Sequence, residues 1–245
     1  MSTFLTEVRD TLLPGRAAPF GPLPPLLIAM TVVTGLVDSF SYLALGHVFV
    51  ANMTGNVVFL GFAVAGAHGF SIAASLVALV SFGAGSVIGG RIVVRYGGHR
   101  GRHLAAAMAT ESVFLAVSVV LALWSSNAPQ HAWRYALIVV LSLATGVQNA
   151  SVRKLAVPDL TTTVLTMTVT GIGADSALGG GTGSRSGRRL MAIAAMFLGA
   201  LLGAVLVLHV RIVVPLVIAL VVIVLVALAS YEAGKGDPRW TRATS

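Results

Sequence analysis

The chain has 245 residues, of which 56% are hydrophobic and only 10% charged. A soluble domain carries about 25% charged residues, so most of this surface is expected to face lipid, and a sizeable soluble domain is excluded. No cysteine is present, which rules out disulfides, thiolate metal sites and cysteine nucleophiles. The net charge of +8 comes from arginines set between apolar runs. That placement reads as a topology signal rather than a nucleic-acid surface, because no basic helix with interleaved aromatics occurs.

In chain order, residues 1–25 carry acids, arginines and five prolines before the first long apolar run. This is the wrong layout for a secretory signal, and a short cytoplasmic segment is expected instead. A spanning helix needs about 20 mostly apolar residues. Six stretches meet that length: Leu26–Gly46, Ile72–Val94, Leu104–Trp124, Ala132–Ala150, Leu190–Val210 and Ile212–Ser230. Two shorter stretches, Met53–Ala67 and Thr163–Ala177, are rich in Gly and Thr. If all eight crossed, the cluster Arg91–Arg102 and the cluster Arg185–Arg189 would lie on opposite faces, against the preference of Lys and Arg for the cytoplasm. If the two short stretches enter and leave on one side, every strong basic cluster falls inside with both termini. The expected fold is therefore an all-α polytopic bundle of about six spans plus two short, re-entrant helices, with eight spans as the alternative. Residues 232–245 read as a cytoplasmic tail, and Gly179–Ser184 as a flexible linker.

The chain also repeats itself. Thr34-Gly35-x-x-Asp38 is answered by Thr145-Gly146-x-x-Asn149, and Asn52-Met53-Thr54-Gly55-Asn56 by Thr163-Val164-Leu165-Thr166-Met167. Gly85-x-x-x-Gly89 is answered by Gly199-x-x-x-Gly203, and the offset drifts from 111 to 114 residues. Residues 26–126 and 127–231 thus form two membrane repeats. With three crossings each, the second is upside down relative to the first, which is a recurring transporter architecture with its site near the midplane.

Candidate site residues follow from polarity at membrane depth. Asp38, about 12 residues or 18 Å into the first span, is an intramembrane carboxylate, and such groups face the bundle interior or a functional path. Asn52, Thr54 and Asn56 open the first short stretch, and such residues cap helix starts. Gln148 and Asn149 hold the matching place in the second half, with Thr163 and Thr166 from the threonine-rich stretch. In a purely structural reading these groups fasten helices and the hydroxyls bond their own helix. Glu111 is expected to pair with Arg91, Arg95 or Arg102, or to snorkel to the interface. Asp159 and Asp175 read as solvated. No metal-ligand spacing, phosphate loop or hydrolase elbow is present, so neither metal, cofactor nor enzyme activity is expected.

Thr34-Gly35-Leu36-Val37-Asp38, followed by Phe49-Val50-Ala51-Asn52-Met53-Thr54-Gly55-Asn56, resembles the YoaK-like family of bacterial inner-membrane proteins. Gly146-Val147-Gln148-Asn149-Ala150 through Val157-Pro158-Asp159-Leu160-Thr161-Thr162-Thr163 is similar to that family's second landmark. The resemblance implies a multi-span inner-membrane protein without a settled biochemical function. Met167 stands where relatives often show glycine. The leading expectation is a small-solute transporter that takes a polar solute or a proton between the repeats, with the lipid bilayer as its surrounding partner. The alternative is a non-transporting scaffold or regulatory protein.

Overall fold

The computed structural model describes residues 2–15, 18–124, 130–163, 165–181 and 185–242. Arg16, the connector residues 125–129, Val164 and residues 182–184 of the glycine-rich linker lie outside them. Nine α-helices are described: α1 (Ser2–Leu12), α2 (Leu23–Ala44), α3 (Met53–Val64), α4 (Ile72–Tyr96), α5 (Arg100–Trp124), α6 (Gln130–Leu155), α7 (Leu165–Ala174), α8 (Ser186–His209) and α9 (Val214–Ala233). No strand element is found among the described residues.

Six of these helices (α2, α4, α5, α6, α8 and α9) are long and apolar enough to cross a membrane. The two short ones are not. At a rise of 1.5 Å per residue, α3 and α7 reach about 18 and 15 Å, against a hydrocarbon core of about 30 Å. Helix α2 starts earlier than its apolar run suggests. Pro24 and Pro25 occupy its first turn, where their missing N–H groups cost no hydrogen bond. Outward-facing Val80, Val87, Phe197, Leu201, Val221, Leu225 and Leu228 are exposed in the isolated chain. They form the apolar surface that lipid covers.

Glycines fix how the long helices pair. A Cβ on Gly35 of α2 would collide with Met196 and Ala200 of α8, one on Gly199 with Val32, and one on Gly203 with Leu36. Position rises with position, so α2 and α8 run parallel with their backbones in contact. The second half repeats the pattern. Gly146 of α6 lies against Phe82 and Ser86 of α4, Gly85 against Leu143, and Gly89 against Val147. Small residues permit this approach, and in lipid close van der Waals packing is what holds helices together.

The helix directions then follow in sequence. Helix α9 returns antiparallel to α8 after a short connection. Gly101 at the start of α5 packs on Ser230 and Gly234 at the end of α9, so α5 is antiparallel to α9. Helix α6 packs against α5 after a short connection, reversing direction once more, and α4 is parallel to α6. Helix α2 is therefore antiparallel both to α6 and to α4. The two halves are inverted, and the chain between α2 and α4 enters and leaves on one side. His47, where that excursion begins, bonds Gly69, where it ends (Nδ1 to carbonyl O, 3.0 Å).

Among the described residues, every Lys and Arg except Arg134 and Arg211 lies at one end of the bundle. The termini close over that end. Glu7 of α1 accepts from the Gly187 N–H at the start of α8 (2.9 Å), and the Arg188 guanidinium donates to Thr11 (3.3 Å). Arg100 donates to the carbonyls of Pro19 and Trp240.

A bulky side chain at Gly199 or Gly85 must separate a helix pair. Gly199→Val or Gly85→Val is expected to cost at least 1–3 kcal/mol, the usual penalty for overpacking, and to lower the melting temperature in detergent. Gly83→Ala, with nothing within 4 Å of its added Cβ, is expected to leave it unchanged or raise it.

Candidate functional site

The chain leaves α2 at Ala44 and turns at Gly46 and His47, both with positive φ. It then runs back into the bundle as an irregular segment before starting α3. Such a segment carries backbone N–H groups that no helix satisfies, and in a bilayer each unsatisfied group costs several kcal/mol. Asp38 takes two of them: Oδ1 accepts from Val50 N (3.1 Å) and Ala51 N (2.8 Å). Oδ2 accepts from the Asn52 amide. Asn56 serves Phe49. Its Oδ1 accepts from Phe49 N (2.9 Å) and its Nδ2 donates to Phe49 O (2.6 Å). Only an amide side chain supplies both a donor and an acceptor in that geometry. Rings of Tyr42, Phe49, Phe59, Phe62 and Phe70 stack successively around this first hairpin.

The second half builds the same bracket from milder groups. Thr163 Oγ1 donates to Asn149 Oδ1 (2.7 Å), just as Asn52 donates to Asp38, and the two partners are 14 residues apart in each half. Asn149 Nδ2 donates to the carbonyl of Thr145 (2.9 Å). The segment leading to α7 holds Ala156, Asp159 and Thr162 at positive φ. For a β-branched residue such as Thr162 this is a strained backbone.

The brackets meet where α2 faces α6. Gln148 Nε2 donates to Thr34 Oγ1 of α2 (2.9 Å) and to Thr162 Oγ1 (3.3 Å). Thr145 Oγ1 donates to the carbonyl of Val50, so α6 holds the first hairpin from the side opposite Asp38. Asp38, Asn56, Thr34, Thr145, Gln148 and Thr162 are all buried, and Asp38 is 4% exposed. Of the residues singled out from sequence, Asp38, Asn52 and Asn56 gather on the first hairpin, and Gln148, Asn149 and Thr163 on the second. Thr54 and Thr166 are exposed and join neither group.

Four residues differ from expectation. Because α2 begins at Leu23, Asp38 lies about 22 Å from its start and about 9 Å from its end, beyond the helix midpoint. Glu111 forms no ion pair with Arg91, Arg95 or Arg102 among the described residues and does not snorkel. Helix α5 begins at Arg100, so Glu111 lies near its centre, 1% exposed. Asp159 and Asp175 are not simply solvated. Both pair with Arg189 (2.8 and 2.7 Å), whose guanidinium also donates to the Gly171 carbonyl, stapling α7 to the start of α8.

The sequence reading missed the site roles of Thr34, Thr145 and Thr162, and the staple made by Arg189. The repeat held the signal for the first two, since Thr34 and Thr145 stand one helical turn before Asp38 and Asn149.

Fold and site together define a six-span α-helical membrane protein made of two inverted halves, each with a short helix whose irregular leading segment is pinned to the bundle. The chain belongs to the family described as "Protein of unknown function (DUF1275)", whose model matches residues 26–229. It is 34% identical over 145 residues to the UPF0700 transmembrane protein YoaK of Bacillus subtilis (strain 168), a match covering 59% of this chain and 63% of that protein. No solved structure matches.

Removing the Asp38 carboxylate strands two buried N–H groups, each worth about 1–3 kcal/mol when left unpaired. Asp38→Ala is expected to speed thiol labelling of a cysteine placed at position 50, which is buried in the native packing. It is also expected to lower the melting temperature. Thr54→Ala should change neither.

Proposed function

We propose that this protein is a small-solute carrier of a bacterial cytoplasmic membrane, with its basic face and both termini in the cytoplasm. The orientation rests on the positive-inside rule, given that all described Lys and Arg but two lie at one end. The observation that carries the transport reading is the polar seam between the inverted halves. Helices α2 and α8 form one glycine-locked pair and α4 and α6 the other. Directly between α2 and α6 the contact is narrow and polar, centred on Gln148 and Thr34.

Two rigid pairs that meet directly only at a thin polar contact, with α5 and α9 packed between them, can rock against each other, which is how inverted-repeat carriers alternate access. Asp38, Asn52, Asn56, Gln148, Asn149 and Thr163 would line the path when the seam parts. They offer amide and hydroxyl groups to a small polar solute, with one carboxylate for a proton or a cationic group. The arrangement described here is then the closed form, with these groups bonded to one another.

The second reading is a scaffold or regulatory membrane protein. It draws on one observation, that both Asp38 oxygens are engaged by protein donors. In that case the brackets are fasteners only.

A single cysteine at position 148 separates the readings without knowledge of the solute. In oriented vesicles, a carrier exposes position 148 to a membrane-impermeant thiol reagent from either face in turn. A fastener exposes it to neither, and labelling from no side would remove the carrier reading. Orientation is checked in the same vesicles. A cysteine replacing exposed Lys235 should label from the cytoplasmic side and one replacing exposed His68 from the other.

A further inference from the structure

A second set of buried polar groups lies on α5 and α6 and shares only Gln148 with the site described above. Among the described residues, six buried side-chain atoms have no hydrogen-bond partner, and five of them belong to α5 and α6: His103 Nε2, Glu111 Oε2, Ser142 Oγ, Gln148 Oε1 and Ser151 Oγ. Each of these residues is at most 1% exposed. His103 and Glu111 stand two turns apart on the buried side of α5. Since α5 and α6 are antiparallel, depth can be counted from their connected ends at 1.5 Å per residue. His103 and Ser151 both lie about 31 Å from those ends, Gln148 about 27 Å, Glu111 about 20 Å and Ser142 about 18 Å. By depth along the helices, His103, Ser151, Gln148 and Glu111 are spaced from the basic end of the bundle to its middle, while Ser142 lies on the face of α6 opposite Ser151.

The upper end of this set opens to solvent. A cleft of about 300 Å³ on the basic face is lined by Phe20, Gly97, Arg100, His103, Lys154 and Leu155, among others. His103 is thus both the floor of the cleft and the first member of the set. Native interiors rarely leave buried polar atoms unpaired, and clusters of them mark a role other than fastening. Here the chemistry is of one kind. Imidazole and hydroxyl each accept and donate a hydrogen, the Gln148 carbonyl orients a bridging water, and a carboxyl at the end can hold or release a proton.

We propose that Glu111 is a membrane-embedded proton-binding site, filled from the basic face through His103, Ser151 and Gln148. A proton from the cleft binds His103 Nε2 and passes along hydroxyl and water bridges. It then converts the Glu111 carboxylate to a neutral acid at Oε2, and the reverse path returns it. The charged and titratable groups on neighbouring elements lie toward the helix ends: Arg134, Tyr135, Arg153 and Lys154 on α6, Tyr231 and Glu232 on α9, Arg91, Arg95 and Tyr96 on α4, and Arg239 and Arg242 in the tail. Asp38 sits on α2, which makes its contacts with α1, α6, α8 and α9 rather than α5. Glu111 is therefore apart from Asp38, and its path meets the α2–α6 contact only at Gln148.

The test is infrared difference spectroscopy of the full chain in phosphatidylcholine vesicles after a step in pH. A protonated-carboxyl C=O band should follow the step. It should vanish in Glu111→Gln and persist in Glu232→Gln, whose carboxylate is exposed. His103→Leu should slow the response tenfold or more. Ser151→Ala, a smaller change, should slow it as well and guards against misfolding of the histidine variant. A band untouched by Glu111→Gln overturns the proposal, and so does a response as fast in Ser151→Ala as in the native chain. Neither result depends on whether position 148 is reached from both faces, so the two proposals fail separately.

Discussion

A chain that turns back inside a bilayer exposes backbone N–H groups that water cannot satisfy, and this protein answers with one carboxylate. Asp38 accepts from two successive backbone N–H groups and from the Asn52 amide. The first hairpin can thus return into the bundle with the N–H groups of Val50 and Ala51 satisfied. Everything at the interface of the halves is placed by that bracket: Asn56 against Phe49, the Val50 carbonyl against Thr145, and through α6 the contact of Gln148 with Thr34. A charged acceptor binds N–H donors about twice as strongly as a neutral one. That strength serves the first half, while Asn149 and Thr163 suffice where the second half relies on the Arg189 staple as well.

The bracket works only because glycine contacts put α2 and α6 where they are. Each long helix that opens a half packs on the second long helix of the other half, α2 with α8 and α6 with α4. This exchange interlocks the halves, so neither half encloses a core of its own. Burial follows the same logic. The residues of α2 and α6 are mostly inside, whereas α8 is largely lipid-facing. The two helices that carry the polar groups are therefore also the two most shielded from lipid.

Much of this was legible in the residues. The six spans follow from length and apolarity alone, and the inversion from an odd number of crossings per half. The resemblance between Asp38 and Asn149, and between Asn52 and Thr163, marked the landmarks that bond in space. What could not be read is equally physical. Asp38 binds backbone N–H groups of Val50 and Ala51, and every residue but proline carries one, so no side chain announces the partner. Helix α5 starts in a polar turn, Arg100 to His103, that a hydropathy window discards. Glu111 therefore reads as interfacial, although it is central. Thr54 and Thr166 lie within the two answering strings but fall on the outward side of short helices, a distinction that composition does not carry.

The account turns on the first short helix beginning inside the hydrocarbon rather than at the water surface. Thr54 is exposed at that start, so a nitroxide there reports depth without disturbing the packed bracket. Paramagnetic relaxation in vesicles should show the label at position 54 open to oxygen and closed to a water-soluble nickel chelate. A label at exposed position 68 should show the reverse. Equal access of the chelate to both positions would mean that the segment does not re-enter, and would contradict the structure's central feature.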